Sequence, residues 1–312
     1  MSGKASGVSE AAAAGETLPT SIGAAWCLAM RRIDRLDARL LVEHVAGCTH
    51  AELIASPERA LAADAARRLA ALVERRAAGE PLAYLTGCTG FYGLDFGVSP
   101  AVLIPRPDTE LIVELALARA RALQAAGMTP RLLDLGTGSG AIAVSLAASL
   151  APGARVEAVE RSPAALAVAR ANALRHGVDV VFHQGDWFAP LAATGVHTPG
   201  LATGVATRFD IVVSNPPYVA AGDPHLAQDG LPFEPQEALS DGGDGLSCLR
   251  AIVQEAPAHL VPGGWLLLEH GYDQAAAVRS LLAAAGFVEV ASWRDLAGIE
   301  RVSGGRWHAA GG

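Results

Sequence analysis

The sequence predicts an α/β protein: a doubly wound, mostly parallel sheet with a small N-terminal helical-bundle domain joined to it by a β-hairpin. Three observations predict it. Apolar residues recur at helical spacing through residues 26–78. Aromatics and glycines alternate through 84–98. From Met128 onward, short apolar runs alternate with helical stretches.

The bulk numbers set the frame. At 312 residues and 51% hydrophobic content, the chain has room for one large core and a small one. A formal charge of −8 removes the basis for tight non-specific binding to nucleic acid. Lys4 is the only lysine, a compositional bias to which we attach no functional weight. Cys27, Cys48, Cys88 and Cys248 are scattered, with no spacing for a zinc site or a disulfide framework, and suit thiols in a reducing cytosol. Residues 1–19 lack the apolar core of a signal peptide and read as a mobile tail. The uncharged stretch 135–154 carries glycines, serines and a threonine, so a strand, turn and helix explain it better than a membrane span.

Taken in order, Leu28, Ile33, Leu36, Leu40, Leu41 and Val45 share one helical face. Ser56-Pro57 reads as an N-cap and first-turn proline opening a helix with Leu61, Ala65, Leu69, Leu72 and Val73 on one face, closed by Gly79. This bundle, residues 20–82, is expected to serve as a recognition or lid domain. Residues 83–104 form the hairpin linker, turning at Gly93-Leu94, and 105–312 the α/β domain. Pro105 and Pro107 stiffen a turn after which Asp108 or Thr109 can cap a helix over 111–126. Strands follow at Arg131–Leu135, Arg155–Glu160, 180–183, Phe209–Ser214 and 264–269, with Ser162-Pro163 starting one of the intervening helices. A helix over 273–285 and a strand pair around 287–293 and 299–302 close the chain, and 192–208 reads as a flexible surface loop.

The residues that carry chemistry sit at strand ends. In FDIVVSNPPYV (residues 209–219) an apolar strand stops at Asn215-Pro216-Pro217-Tyr218, because neither proline can donate to the ladder. The carboxyl ends of strands are where open α/β sheets bind ligands. Gly136-Thr137-Gly138-Ser139-Gly140 follows the first strand and opens its helix with free N–H groups, a pattern that also fits a plain structural turn. Glu160 ends the second strand, where a carboxylate can accept both hydroxyls of a ribose. Asp186-Trp187 has two readings, an amine acceptor with a purine-stacking face, or a capping Asp beside a buried Trp. Together these residues sketch an adenosine pocket with no phosphate-handling lysine, which points to S-adenosylmethionine. The Asn215 side-chain carbonyl and the Pro216 backbone carbonyl can each accept an N–H of a planar –NH₂. That orients its lone pair and stabilises the positive charge that develops on nitrogen. Tyr218 can pack against a flat substrate. Local chemistry does not separate glutamine from adenine.

Longer motifs do. DLGTGSGAIA, Glu160 and NPPY resemble a Rossmann-like class I methyltransferase acting on planar amino groups. RRAAGEPLAYLTG (75–87), FYGLDF (91–96), LIPRPDTE (103–110), EPQEAL (234–239), GGDGL (242–246), LEHGYDQ (268–274) and DLAGIER (295–301) narrow this. Over residues 26–303 the chain resembles the bacterial peptide chain release factor glutamine methyltransferases, the HemK/PrmC family. The resemblance implies N5-methylation of the glutamine in the release factors' Gly-Gly-Gln motif, with S-adenosylmethionine as cofactor. It also implies a helical domain that grips the release factor, and a cytoplasmic enzyme, taken here as a monomer. Carried over by position, Gly136 to Gly140, Glu160, Trp187 and Asn215 bind the cofactor, and the reading of the residues adds Asp186. Asn215, Pro216, Pro217 and Tyr218 hold the substrate glutamine, with Arg106, Thr109 and Glu110 near the site. The family has Asp at the position of Glu160, whose extra methylene still reaches a ribose, and the 192–208 loop is longer than its pattern. No heme, iron or other metal site is implied. Three rivals remain. An adenine-N6 nucleic-acid methyltransferase should bring a basic surface. A hydride-transfer enzyme leaves NPPY unexplained. A non-catalytic release-factor-binding module leaves the intact site unexplained.

Overall fold

The computed structural model describes residues 18–193, 208–228 and 230–308. The chain divides into two compact units, Met1–Thr86 and Gly87–Gly312.

The first unit is helical: α1 (Ile22–Ala29), α2 (Arg35–Ala46), α3 (His50–Ala55), α4 (Ala63–Ala77) and α5 (Leu82–Thr86). Ile22, Leu41, Leu53 and Leu69 meet in its core. Ser21 and Asp34 cap α1 and α2 with their side chains, and Thr49 with Glu52 makes a reciprocal capping box on α3. The Ser56-Pro57 expectation is corrected. Ser56 closes α3, its N–H bonding the Glu52 carbonyl at 2.9 Å, and α4 starts only at Ala63. The segment between them is held by chain distant in sequence. Gly23 donates to the Pro57 carbonyl at 2.9 Å, Ile22 to Arg59 at 3.0 Å and Leu61 to Thr20 at 2.9 Å. A local capping signal yields to backbone pairing that only the folded chain brings together.

The second unit opens with the hairpin β1 (Cys88–Phe91) and β2 (Leu94–Gly97). Tyr92 and Gly93 between them both have positive φ, 50° and 73°, the geometry of a tight two-residue turn. The chain continues through α6 (Glu110–Ala125), β3 (Arg131–Leu135), α7 (Ala141–Leu150), β4 (Arg155–Glu160), α8 (Pro163–Arg175), β5 (Val181–Gln184) and α9 (Ala189–Ala193). After the undescribed segment come β6 (Phe209–Ser214), α10 (Gln236–Leu239), α11 (Ser247–His259), β7 (Leu260–Glu269), α12 (Ala275–Ala284), β8 (Phe287–Arg294) and β9 (Glu300–Trp307). The seven strands lie in the order β5-β4-β3-β6-β7-β9-β8. All pairings are parallel except those of β9, which runs against both neighbours. Both faces are covered, as the strand residues require. Leu132, Ile211, Val213 and Leu267 pack with α6 and α7, while Leu133, Val212, Leu266 and Leu268 pack with α11 and α12. The chain reverses direction across the sheet on either side of β3, so the carboxyl ends of β3, β4 and β6 share one crevice.

Three expectations change here. Thr109 and Asp108 do not cap α6 with their side chains, and a 3₁₀ turn, Pro107–Thr109, leads into the helix instead. Strand β7 begins four residues earlier than 264, because a bulge at Gly263 (φ +85°) hides its first residues behind a turn-like sequence. The loop reading of 192–208 falls largely outside the described residues, as does most of the 1–19 tail.

Candidate active site

A cavity of about 810 Å³ opens at the carboxyl ends of β3, β4 and β6. Its walls include Gly136, Thr137, Gly138 and Ser139 after β3, Glu160 at the end of β4, Asp186 and Trp187 after β5, and Asn215 and Pro217 after β6. Arg106, Thr109, Pro235 and Asp241 also line it. Gly140, Pro216 and Tyr218 adjoin this wall without lining it.

The glycine turn is built for close approach. Gly136 and Thr137 both donate to the Val159 carbonyl, at 2.9 and 3.0 Å, so the turn is pinned to β4. Gly138 (φ +56°) has open space where a Cβ would stand, whereas a Cβ on Gly140 (φ +83°) would press Ala169 of α8 at 3.2 Å. One glycine leaves room for a ligand and the other lets two helices touch. Asn172, fully buried on α8, ties the turn to the hairpin: its Nδ2 donates to Ser139 O at 2.8 Å and Gly97 O at 2.9 Å, and its Oδ1 accepts from Gly97 N at 2.7 Å.

Glu160 faces this turn. Its two carboxylate oxygens accept from Gly138 N at 2.9 Å and Ser162 N at 2.8 Å. A carboxylate has about four acceptor positions, so two remain for a diol. Trp187 sits in the left-handed region (φ +42°) with its ring edge 3.5 Å from where a Cβ of Gly136 would be. Asp186 is exposed, and its backbone carbonyl, rather than its carboxylate, accepts from Ala189 at 2.9 Å. A ribose acceptor, an aromatic face and an open glycine backbone thus line one cavity, a donor set that fits an adenosine-type cofactor.

At the end of β6, Asn215 Nδ2 donates to Thr109 Oγ1 at 3.1 Å. Tyr218 turns its phenol to Glu269 Oε1 at 3.4 Å, and burial, followed by the Glu269 charge, pushes that phenol far above its usual pKa. The Tyr218 carbonyl accepts from Gln274 Nε2 at 2.9 Å, which also reaches Gly245 O at 3.2 Å, while Gln274 Oε1 accepts from Gly271 N at 2.9 Å. Arg106 is paired with Glu234, whose other oxygen accepts from Ile104 N at 3.0 Å. Glu110 accepts from Tyr92 N at 2.8 Å, at the hairpin turn. Of the residues singled out near the site, Glu110 therefore serves the hairpin, and the Arg106 guanidinium is engaged by a buried carboxylate.

Sequence reading assigned no role to four residues that hold this arrangement. Asp134 is 1% exposed, and its Oδ2 accepts from Thr137 Oγ1 at 2.6 Å and Ala143 N at 3.2 Å. Burial raises its pKa to about 7. Glu269 is 2% exposed, and burial raises its pKa to about 7. Asn172 and Gln274 complete the set. Asp134, Glu269 and Gln274 each sit inside a quoted motif. Asn172 carries no local signal beyond an amide on the apolar side of a helix.

The comparisons agree along the chain. The PrmC N-terminal domain matches residues 24–87, and a methyltransferase domain matches 129–294. The release factor glutamine methyltransferase of Burkholderia pseudomallei is 53% identical over 296 residues, covering 93% of this chain and 98% of that protein. That of Xylella fastidiosa strain Temecula1 is 49% identical over 89% of this chain and 95% of its own, and that of Bordetella pertussis 51% over 88% and 95%. A methyltransferase structure from Pyrococcus furiosus aligns over 76% of this chain and 98% of its own at 20% identity, with a TM-score of 0.48. With half its residues shared with such relatives over nearly the full length of both partners, and both domains matched in order, the chain belongs to the release factor glutamine methyltransferase family.

Proposed function

We propose that this protein transfers a methyl group from S-adenosylmethionine to the side-chain amide nitrogen of the glutamine in the Gly-Gly-Gln motif of peptide chain release factors. The observation that carries the reading is the shared cavity, which the glycine turn, Glu160, Trp187, Asn215 and Pro217 line together. Family membership selects glutamine over adenine as the planar amine.

In this reading Gly136 to Gly140, Glu160, Asp186 and Trp187 hold the cofactor, which supplies an electrophilic methyl group. Asn215 Oδ1 and the Pro216 carbonyl accept the two N–H groups of the substrate amide. An amide nitrogen is a poor nucleophile because its lone pair is delocalised. Two fixed acceptors align that lone pair and stabilise the charge that grows on nitrogen, so the rate comes from positioning and electrostatics. Transfer breaks the methyl–sulfur bond, leaving S-adenosylhomocysteine, and the N-methylated amide cation that forms is strongly acidic, so its proton passes to water without a strong base. The N-terminal helical unit is assigned recognition of the release factor, and the cytoplasm is where that partner is met. No described helix is long and apolar enough to cross a membrane.

The test incubates the full-length protein with methyl-labelled S-adenosylmethionine and either a release factor or a nucleic acid, then maps the label by mass spectrometry. Label on the Gly-Gly-Gln glutamine is the expected result. Label on adenine, or on neither, overturns the proposal.

A further inference from the structure

Two large apolar side chains stand in solvent just past strands of the sheet, Tyr272 after β7 at 65% relative exposure and Leu296 after β8 at 110%. Single exposed apolar residues are ordinary. The turns that carry these two are not, because each is bonded to the chain around the Asn215–Tyr218 turn.

Tyr272 lies within residues 271–274, where β7 ends beside β6. Gly271 N donates to Gln274 Oε1 at 2.9 Å and Gln274 N to Gly271 O at 3.0 Å, while Gln274 Nε2 donates to Tyr218 O at 2.9 Å. Leu296 lies in the turn between β8 and β9. Asp295 closes that turn, its N–H donating to Ile299 O at 2.9 Å and its Oδ1 accepting from Ile299 N at 2.9 Å. Arg294 Nη1 adds a bond to Gly298 O at 2.6 Å. Arg301 then joins everything. Its guanidinium pairs with Asp295 at 3.2 Å and with Asp108 at 3.4 Å, and its backbone carbonyl accepts from His270 N at 2.9 Å. Asp108 precedes Thr109, which hydrogen bonds the Asn215 side chain at 3.1 Å. One turn is thus tied to the Tyr218 end of the acceptor turn, and the other to its Asn215 end.

A pinned turn presents an apolar side chain whose backbone has already lost its freedom, so little further ordering opposes binding. A polypeptide whose glutamine reaches Asn215 must lay its flanking residues across the surrounding rim. Charge favours polypeptide over a phosphate backbone. Asp108 and Asp273 bring carboxylates to these turns, and Arg294 and Arg301 are both paired with acids, Arg294 with Glu300 at 3.8 Å. Resting on the proposed function, we propose that Tyr272 and Leu296 form a docking surface on the second unit for the neutral or basic polypeptide segments that flank the substrate glutamine. Neither residue touches the reacting atoms.

The test uses the full-length enzyme and an intact release factor. It measures kcat and KM, the Kd of the release factor with S-adenosylhomocysteine present, the Kd of S-adenosylmethionine, and Tm. Leu296→Ser and Tyr272→Ser should each raise KM and Kd for the release factor about five- to thirtyfold, as for loss of one apolar anchor at an interface. Saturated kcat, cofactor Kd and Tm stay at wild-type values. Leu296→Met and Tyr272→Phe keep the apolar surface and recover most of the affinity. Leu174→Ser is the control, since Leu174 is 83% exposed on α8 and belongs to neither turn. The proposal is overturned by wild-type KM and Kd in both serine variants, by an equal loss in Leu174→Ser, or by a fall in Tm or cofactor affinity that parallels the loss. Self-association that the serine variants abolish while KM stays unchanged makes a second copy the occupant and also overturns it, as does nucleic-acid binding that depends on the same two residues. Wild-type enzyme that places no methyl on glutamine overturns the functional reading instead, and the release-factor Kd, which needs no turnover, separates the two failures.

Discussion

At the residue scale, the proposed function divides the site into groups that would hold the cofactor and groups that would act on the incoming amine, and two substitutions should separate them. Asn215→Ala removes the acceptor at the end of β6 and leaves the glycine turn and Glu160 in place. We expect kcat to fall at least about a hundredfold, as when a preorganised polar group is removed from a developing charge, with the Kd of S-adenosylmethionine little changed. Glu160→Ala does the reverse. It removes the proposed diol acceptor and also frees the Gly138 and Ser162 amides that the carboxylate now holds. Cofactor Kd should rise about ten- to hundredfold. Isothermal titration with the cofactor and steady-state kinetics on a release factor read the two effects. A large loss of cofactor affinity in Asn215→Ala, or none in Glu160→Ala, would contradict this division.

At the scale of elements, the acceptor turn after β6 is stiff because three separate segments hold it. Gln274, just ahead of α12, joins the Tyr218 carbonyl to the Gly245 carbonyl, and Val219 bonds the Leu239 carbonyl of α10 at 3.0 Å. Asp241 gathers the backbone amides of Gly243, Gly245 and Ser247 at 2.8 to 3.0 Å, which shapes the GGDGL loop ahead of α11. Gly245 is the tightest point. Its φ is +81°, and a Cβ there would stand 2.6 Å from Tyr218 O and 2.8 Å from Gln274 Nε2. Gly245→Ala should therefore cost about 1–3 kcal/mol of stability and push the turn out of register. The expected signs are a lowered Tm and a kcat reduced more than the cofactor affinity, and an alanine variant with wild-type Tm and kcat would refute the clamp. Much of this level was legible in the sequence. The abrupt end of an apolar strand at two prolines, and a glycine turn opening a helix, are local signals that survive folding unchanged. What was not legible depends on distant partners. Ser56-Pro57 has the form of a helix start but is claimed by residues 20–23, and Thr109 has the form of a cap but is claimed by Asn215. Buried carboxylates were missed for the same reason: Asp134 lies one residue before the end of β3 and Glu269 ends β7, and only the neighbouring strands show that they lie inside.

At the scale of the whole molecule, those carboxylates set how stability changes with pH. Glu157 is buried, which acts to raise its pKa, but His183 and Arg131 bond it at 2.9 and 2.8 Å and hold it below the usual value. A depressed pKa contributes stability that is present above the unfolded value and lost as pH falls through the folded one. Asp134 runs the other way. Desolvation raises it from 3.8 to about 7, against bonds from Thr137 and Ala143 that favour the charge, and the Glu160 carboxylate adds to the rise. Its Oδ1 is buried without a partner, so nothing offsets the cost of ionising that oxygen. The folded protein therefore holds this proton more tightly than the unfolded chain does. Its contribution is fully present below pH 3.8, declines as pH rises toward 7, and levels off once the folded state also ionises. Asp134→Asn cannot titrate. Whatever its absolute stability, its Tm relative to wild type should rise between about pH 5 and about pH 8, the range over which the wild-type carboxyl loses its proton. Thermal unfolding of the cofactor-free proteins at the two pH values measures the difference. A Tm gap that stays constant or narrows in the other direction would mean that Asp134 is already ionised in the folded state at the lower pH, and that the carboxyl beneath the glycine turn is a charged anchor rather than a protonated one.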